Sequence, residues 1–150
     1  MAIDAVLAYL HFTSLFLLFG FLTAQAVLMR QPLDAPLIRL IARVDLWYFA
    51  SAIAAVATGL LRLAFGVKGA EFYLSSWPIY VKLALVLVVA VMSVYPTLAF
   101  VRWRRMLDHD AAWRPPDAEH RRYRKVVMAE LHVAALIPVF AVIMARGLGR

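Results

Sequence analysis

The chain has 150 residues, no cysteine and a formal net charge of +7. Apolar residues make up 65% of it and charged residues 17%, with a mean hydropathy of +0.79; soluble domains run about 45–50% apolar, so the composition points to lipid as the main solvent. Absent cysteines exclude disulfides, thiolate catalysis, iron–sulfur clusters and covalent c-type haem attachment. The basic excess is not read as a nucleic-acid surface. Its residues cluster beside apolar runs, as membrane topology requires, and lack the aromatic interleaving of a nucleic-acid platform.

Four apolar runs follow one another along the chain. Ala5–Met29 contains no charged residue. The triplet Ala24-Gln25-Ala26 resembles a cleavage site, but no basic residue precedes the run and it is too long for a signal core, so a retained span is expected. Leu46–Phe65 carries Arg62 near its end, Ile79–Val101 carries Lys82 near its start, and Val126–Ala145 contains Glu130 and His132. Each run reaches the roughly 20 residues a helix needs to cross about 30 Å of hydrocarbon. No period-two alternation marks a barrel strand. The expected fold is all-α: an integral membrane four-helix bundle, one transmembrane domain over residues 1–150, with loops at 30–45 and 102–125. Pro96 and Pro138 fall inside spans three and four, where each removes a backbone donor.

The two loops between spans set the expected orientation. Together they hold eleven basic residues, Arg30, Arg39 and Arg43 in the first and the rest between Arg102 and Lys125. The opposite side has Lys68, Arg146, Arg150 and the membrane-edge Arg62 and Lys82. The positive-inside rule then places both loops in the cytoplasm and both termini outside, in the periplasm of a bacterial inner membrane. Trp47, Tyr48, Trp77, Tyr80 and Trp103 fall near span boundaries, where amphipathic rings settle. The expected partners are the bilayer itself and anionic lipids at the cytoplasmic face.

Ionisable groups inside a span are costly and are functional candidates for that reason. At about 1.5 Å per residue, His11 lies about 9 Å inside the outer end of span one, and Arg62 and Lys82 about 5 Å inside spans two and three. This outer layer has Asp4 and Glu71 as potential ion-pair partners. An inner layer holds Glu130 and His132, with Asp45 at the start of span two and Gln25 late in span one. His11, Ser14, Leu18 and Gln25 share one helical face, Ser51, Thr58 and Arg62 form a stripe on span two, and Lys82 and Ser93 form one on span three. Such stripes should face the bundle interior. Glu130 and His132, two residues apart, point to nearly opposite sides. His109 and His120 are expected to be solvated.

The run Tyr9-Leu10-His11-Phe12, the segment Asp45 through Arg62, the stretch Gly66-Val67-Lys68-Gly69-Ala70-Glu71-Phe72-Tyr73, Lys82 and Pro96-Thr97-Leu98-Ala99-Phe100 together resemble a family of small bacterial four-span membrane proteins of unknown function. A weaker resemblance links that group to HemJ-type protoporphyrinogen oxidases and CopD-type copper-resistance membrane proteins. The HemJ-type proteins share a histidine early in span one and a lysine early in span three, matching His11 and Lys82, with Trp77-Pro78 before the lysine. The resemblance implies a b-type haem ligated at His11. The long charged loop and the Glu130/His132 pair depart from that pattern.

Three readings follow. In the first, the chain binds haem b for redox or porphyrin-handling chemistry, His11 ligating iron and Arg62 and Lys82 meeting the propionates. His132 is a poor second ligand, because it differs from His11 in depth by about 12 Å. In the second, the chain is a non-catalytic subunit or scaffold of a larger membrane complex. In the third, it moves metal ions or protons, which with four helices requires a homo-oligomer.

Overall fold

The computed structural model describes residues 2–65, 71 and 74–146. Lys68, Arg150 and most of the stretch Gly66–Tyr73 lie outside the described residues. Among the described residues four long helices make up the fold: α1 (Ala2–Leu28), α2 (Ala35–Phe65), α3 (Trp77–His109) and α4 (Asp117–Ala145). All four are long and apolar enough to cross a membrane. They run alternately up and down, and each packs on its neighbours in the order α1, α2, α3, α4, with α4 closing the ring on α1. Packing is closest within the pairs α1–α2 and α3–α4.

The helices outrun their apolar segments, and the reason is local. At about 1.5 Å per residue, the 33 residues of α3 span about 50 Å, against roughly 30 Å of hydrocarbon. Residues 30–45 and 102–125, expected as loops because their hydropathy falls, are therefore mostly helical. The true turns are residues 29–34 and 110–116. Hydropathy marks where lipid stops, whereas caps and prolines mark where a helix stops. Asp34 Oδ1 accepts the Leu37 backbone N–H at 2.8 Å, an N-cap that starts α2. Pro36 occupies the first turn, where its missing N–H is not needed. Pro115-Pro116 ends the second turn, and Asp117 and Glu119 then place negative charge in the first turn of α4, where the helix dipole favours it.

The extended ends are tied together beyond the apolar segments. Arg39 on α2 pairs with Asp108 on α3 at 3.2 Å. Arg102 and Trp103 on α3 both donate to Glu119 Oε1 on α4, the indole at 2.6 Å. His120 Nε2 lies 2.8 Å from Met29 O. That ties His120 to the first turn, where the sequence suggests a solvated side chain; His109 is exposed as expected.

The apolar core is lopsided. Leu22, Ile38, Ile41, Phe100, Trp103 and Val127 are all enclosed near the two turns. Towards the opposite end the outward faces of α1, α2 and α3 carry Phe16, Ile53, Leu60, Leu87 and Val91 exposed, surfaces suited to lipid tails. Trp103 and Tyr48, expected at the interface, are instead buried. Each has a hydroxyl or indole N–H that finds an acceptor inside the bundle, which removes the reason to seek water.

Candidate functional site

Two polar layers cross the interior. The layer away from the turns is built on His11, which is buried against α2. Its Nδ1 lies 3.0 Å from Ala55 O and 3.1 Å from Thr58 Oγ1. A carbonyl can only accept, and the Thr58 hydroxyl spends its own hydrogen on Ala54 O at 2.6 Å. Nδ1 therefore donates, and in the neutral ring Nε2 keeps its lone pair. Gly59 gives this approach room, since a Cβ there would fall 3.2 Å from His11 Cε1, a tight contact.

Two cations share this layer. Arg62 and Lys82 both lie within electrostatic reach of His11, and the Arg62 guanidinium sits 5.4 Å from the centre of the Phe12 ring. Among the described residues neither cation forms an ion pair. The potential partners Asp4 and Glu71 form no ion pair here; among the described residues the ion pairs are Arg39–Asp108 and Arg102–Glu119, at the other end of the bundle. Arg62 Nε is buried with no hydrogen-bond partner among the described residues. The layer thus presents an imidazole lone pair and two basic side chains with no ion-pair partner among the described residues, drawn from three helices.

The second layer lies nearer the turns and joins all four helices as a two-rung ladder. In one rung Asp45 Oδ1 accepts from Gln25 Nε2 of α1 at 2.9 Å and from Thr97 Oγ1 of α3 at 3.1 Å. In the other, Glu130 Oε1 of α4 is 2.6 Å from both the Tyr48 hydroxyl of α2 and the Ser93 hydroxyl of α3, which are 2.8 Å from each other. Asp45 and Tyr48 are three residues apart on α2, and Ser93 and Thr97 four apart on α3, so the rungs stack about one turn apart. Asp45 and Glu130 are 4% and 1% exposed, and Glu130 Oε2 is buried without a partner among the described residues.

His132 belongs to neither layer. It is exposed on the outside of α4, with Nδ1 2.6 Å from Met128 O of its own helix. Among the described residues no group of three or more His, Cys, Asp or Glu side chains converges as a metal site. The structure therefore gathers His11, Arg62 and Lys82 at one level and Gln25, Asp45 and Glu130 at another. The sequence reading missed Thr97 as a partner of Asp45 and Tyr48 as a partner of Glu130. The spacing Asp45, Tyr48, Ala55, Gly59, Arg62 traces one face of α2 and is the signal that carried them.

The family described as "Predicted membrane protein (DUF2214)" matches residues 3–149. The chain belongs to the DUF2214 family. That membership agrees with a four-span membrane protein and assigns it no activity. No curated protein and no solved structure matches this DUF2214 chain, so the HemJ-type and CopD-type resemblances gain no support from them.

Proposed function

We propose that this DUF2214 protein binds haem b in the bacterial inner membrane and serves redox or porphyrin-handling chemistry there. One observation carries the reading. An imidazole whose Nδ1–H is fixed on a backbone carbonyl lies at the same level as two cations with no acidic partner among the described residues. A histidine that ligates iron usually donates its other N–H in this way, which fixes the tautomer and raises the basicity of the ligating nitrogen. Unpaired Arg and Lys inside a membrane demand anionic company, and haem supplies two propionates. When bound, haem contributes one-electron chemistry. The chain's own residues would hold it: His11 through Nε2, Arg62 and Lys82 through charge. Thr58 and Ala55 keep the imidazole oriented. His132 is not a second ligand, because it faces outward from α4.

Orientation is part of the same reading. The ends of α2, α3 and α4 nearest the turns carry the basic residues and lie in the cytoplasm, with both termini in the periplasm. At that end an open groove lined by Arg121, Arg122 and Lys125 suits anionic lipid headgroups, each cation adding about 1 kcal/mol of attraction near the surface.

The test is an absorption spectrum of the protein purified in detergent with haem supplied. A Soret band in the wild type, lost in His11→Ala and weakened in Lys82→Ala, is expected. A wild type without the band, or a His11→Ala variant with an unchanged band, overturns the proposal.

A further inference from the structure

The oxygen atoms around Glu130 have more close contacts than hydrogens to fill them. Tyr48 Oη and Ser93 Oγ each lie 2.6 Å from Glu130 Oε1, and 2.8 Å from each other. Ser93 Oγ also lies 2.8 Å from Val89 O. A tyrosine and a serine bring one hydroxyl hydrogen each, and a carbonyl brings none. With Glu130 as an anion, two hydrogens would have to serve the three sides of the triangle. At least one side would then hold two oxygens facing each other through lone pairs alone. A third hydrogen on Glu130 serves every side of the triangle: the acid donates to Ser93, Ser93 to Tyr48, and Tyr48 back to Glu130, so that of the four contacts only Ser93–Val89 lacks its own hydrogen, against two without one in the anion. Contact lengths of 2.6 Å suit either an ionised acceptor or an acid donor. The count of hydrogens favours the acid, which leaves one contact without a hydrogen where the anion leaves two.

A second observation is independent of that count. Glu130 is 1% exposed, and its Oε2 has no hydrogen-bond partner among the described residues. In a carboxylate this oxygen would carry half a negative charge with nothing to stabilise it, the most unfavourable state for a buried group. In an acid protonated on Oε1 it is a neutral carbonyl, the polar group that folded proteins most readily leave under-bonded. Asp45 makes the contrast. Its two contacts come from an amide N–H and a hydroxyl, each bringing its own hydrogen.

We propose that Tyr48, Ser93 and Glu130 form a proton-binding site inside the bundle, with Glu130 held as a carboxylic acid. The groups that face it are Tyr48 and Asp45 from α2 and Ser93 from α3, with Gln25 of α1 reaching Asp45. No arginine or lysine bonds to it among the described residues. The site uses none of the residues assigned to haem and stands whether or not haem is bound. Release of the proton leaves a carboxylate with one oxygen unserved. Release therefore requires α4 to shift against α2 and α3, or water to reach Oε2.

Infrared spectroscopy of the full chain in lipid vesicles at neutral pH tests this. The expected result is a carbonyl stretch of a protonated carboxylic acid that moves to lower frequency in D2O. It should vanish in Glu130→Gln and persist in Asp45→Asn, with circular dichroism verifying that each variant is folded. In Tyr48→Phe, which breaks the ring but keeps the acid, the band should change frequency. Absence of the band in the wild type overturns the proposal, as does its survival in Glu130→Gln or its indifference to Tyr48→Phe. Loss of the band on adding sodium chloride at constant pH also overturns it, by assigning the site to a metal cation.

Discussion

Gly59 of α2 lies against the imidazole of His11 of α1, so close that a Cβ at position 59 would fall 3.2 Å from His11 Cε1. The only other described glycine whose surroundings are resolved, Gly20, has nothing within 4 Å of such a Cβ. The two positions therefore separate packing from helix propensity. Gly20→Leu places its side chain towards lipid and should change stability by no more than about 1 kcal/mol, with propensity favouring it. Gly59→Leu must displace the ring or part α1 from α2, a strain of about 1–3 kcal/mol. Thermal unfolding in detergent compares them. Equal midpoints for the two variants would show that His11 is not seated on Gly59.

The end of the bundle near the turns offers a different contrast, between a buried hydrogen bond and an exposed ion pair. Trp103 is fully buried, and its indole N–H has Glu119 as its acceptor. Glu119→Ala strands that N–H and should cost about 1–3 kcal/mol, whereas Glu119→Gln keeps a carbonyl acceptor and should cost less. The Arg39–Asp108 pair is about half exposed on both sides, so Arg39→Ala should change stability by about 0–1 kcal/mol, shrinking with added salt. An Arg39→Ala loss larger than that of Glu119→Ala would reverse this ranking.

Sequence alone located the spans and most of the polar candidates, because hydrocarbon makes both conspicuous: a run without charges, and a charge within a run. Gln25, Asp45 and Glu130 stand out for that reason and are all buried together. What hydropathy does not encode is partnership. Tyr48 reads as an interface ring because it sits two residues into its span, yet it is 2% exposed with its hydroxyl on Glu130. Nothing in the local sequence of α2 reveals a carboxyl group 82 residues away on α4. Likewise the turns are shorter than charge density implies, since Arg39 or Arg102 can remain helical in water as readily as in lipid. His132 shows the converse. Its charge-bearing side chain marks it as a candidate, but its phase relative to Glu130 places it outside the bundle.

Asp45 links α1 to α3 through a single oxygen, which makes its two donors interdependent. Thr97→Val removes one and Gln25→Leu the other. Hydrogen bonds between membrane helices average about 0.6 kcal/mol, with a ceiling near 1.7, so each single variant should lose about that much. The double variant leaves Asp45 with neither donor and should lose more than the sum, by about 0.5 kcal/mol or more. Unfolding in mixed detergent micelles measures the cycle. Strict additivity would mean that the two donors act on Asp45 separately.

The orientation can be tested without background because the chain has no cysteine. Asp34 and Asp110 lie in or beside the two turns, both exposed; a cysteine at either position gives up one side-chain cap, of Leu37 N–H or Ala112 N–H, at a cost of about 1 kcal/mol. Asp34→Cys and Asp110→Cys introduce single thiols at the end of the bundle carrying Arg39, Arg102, Arg104 and Arg105. Basic residues close to span ends resist translocation, and the imbalance between the two ends is large. Both thiols should therefore stay unmodified by a membrane-impermeant maleimide added outside spheroplasts and react once the membrane is opened. Labelling of either thiol in intact spheroplasts would invert the topology, carrying the His11 layer to the cytoplasmic side and the Glu130 layer to the outer one.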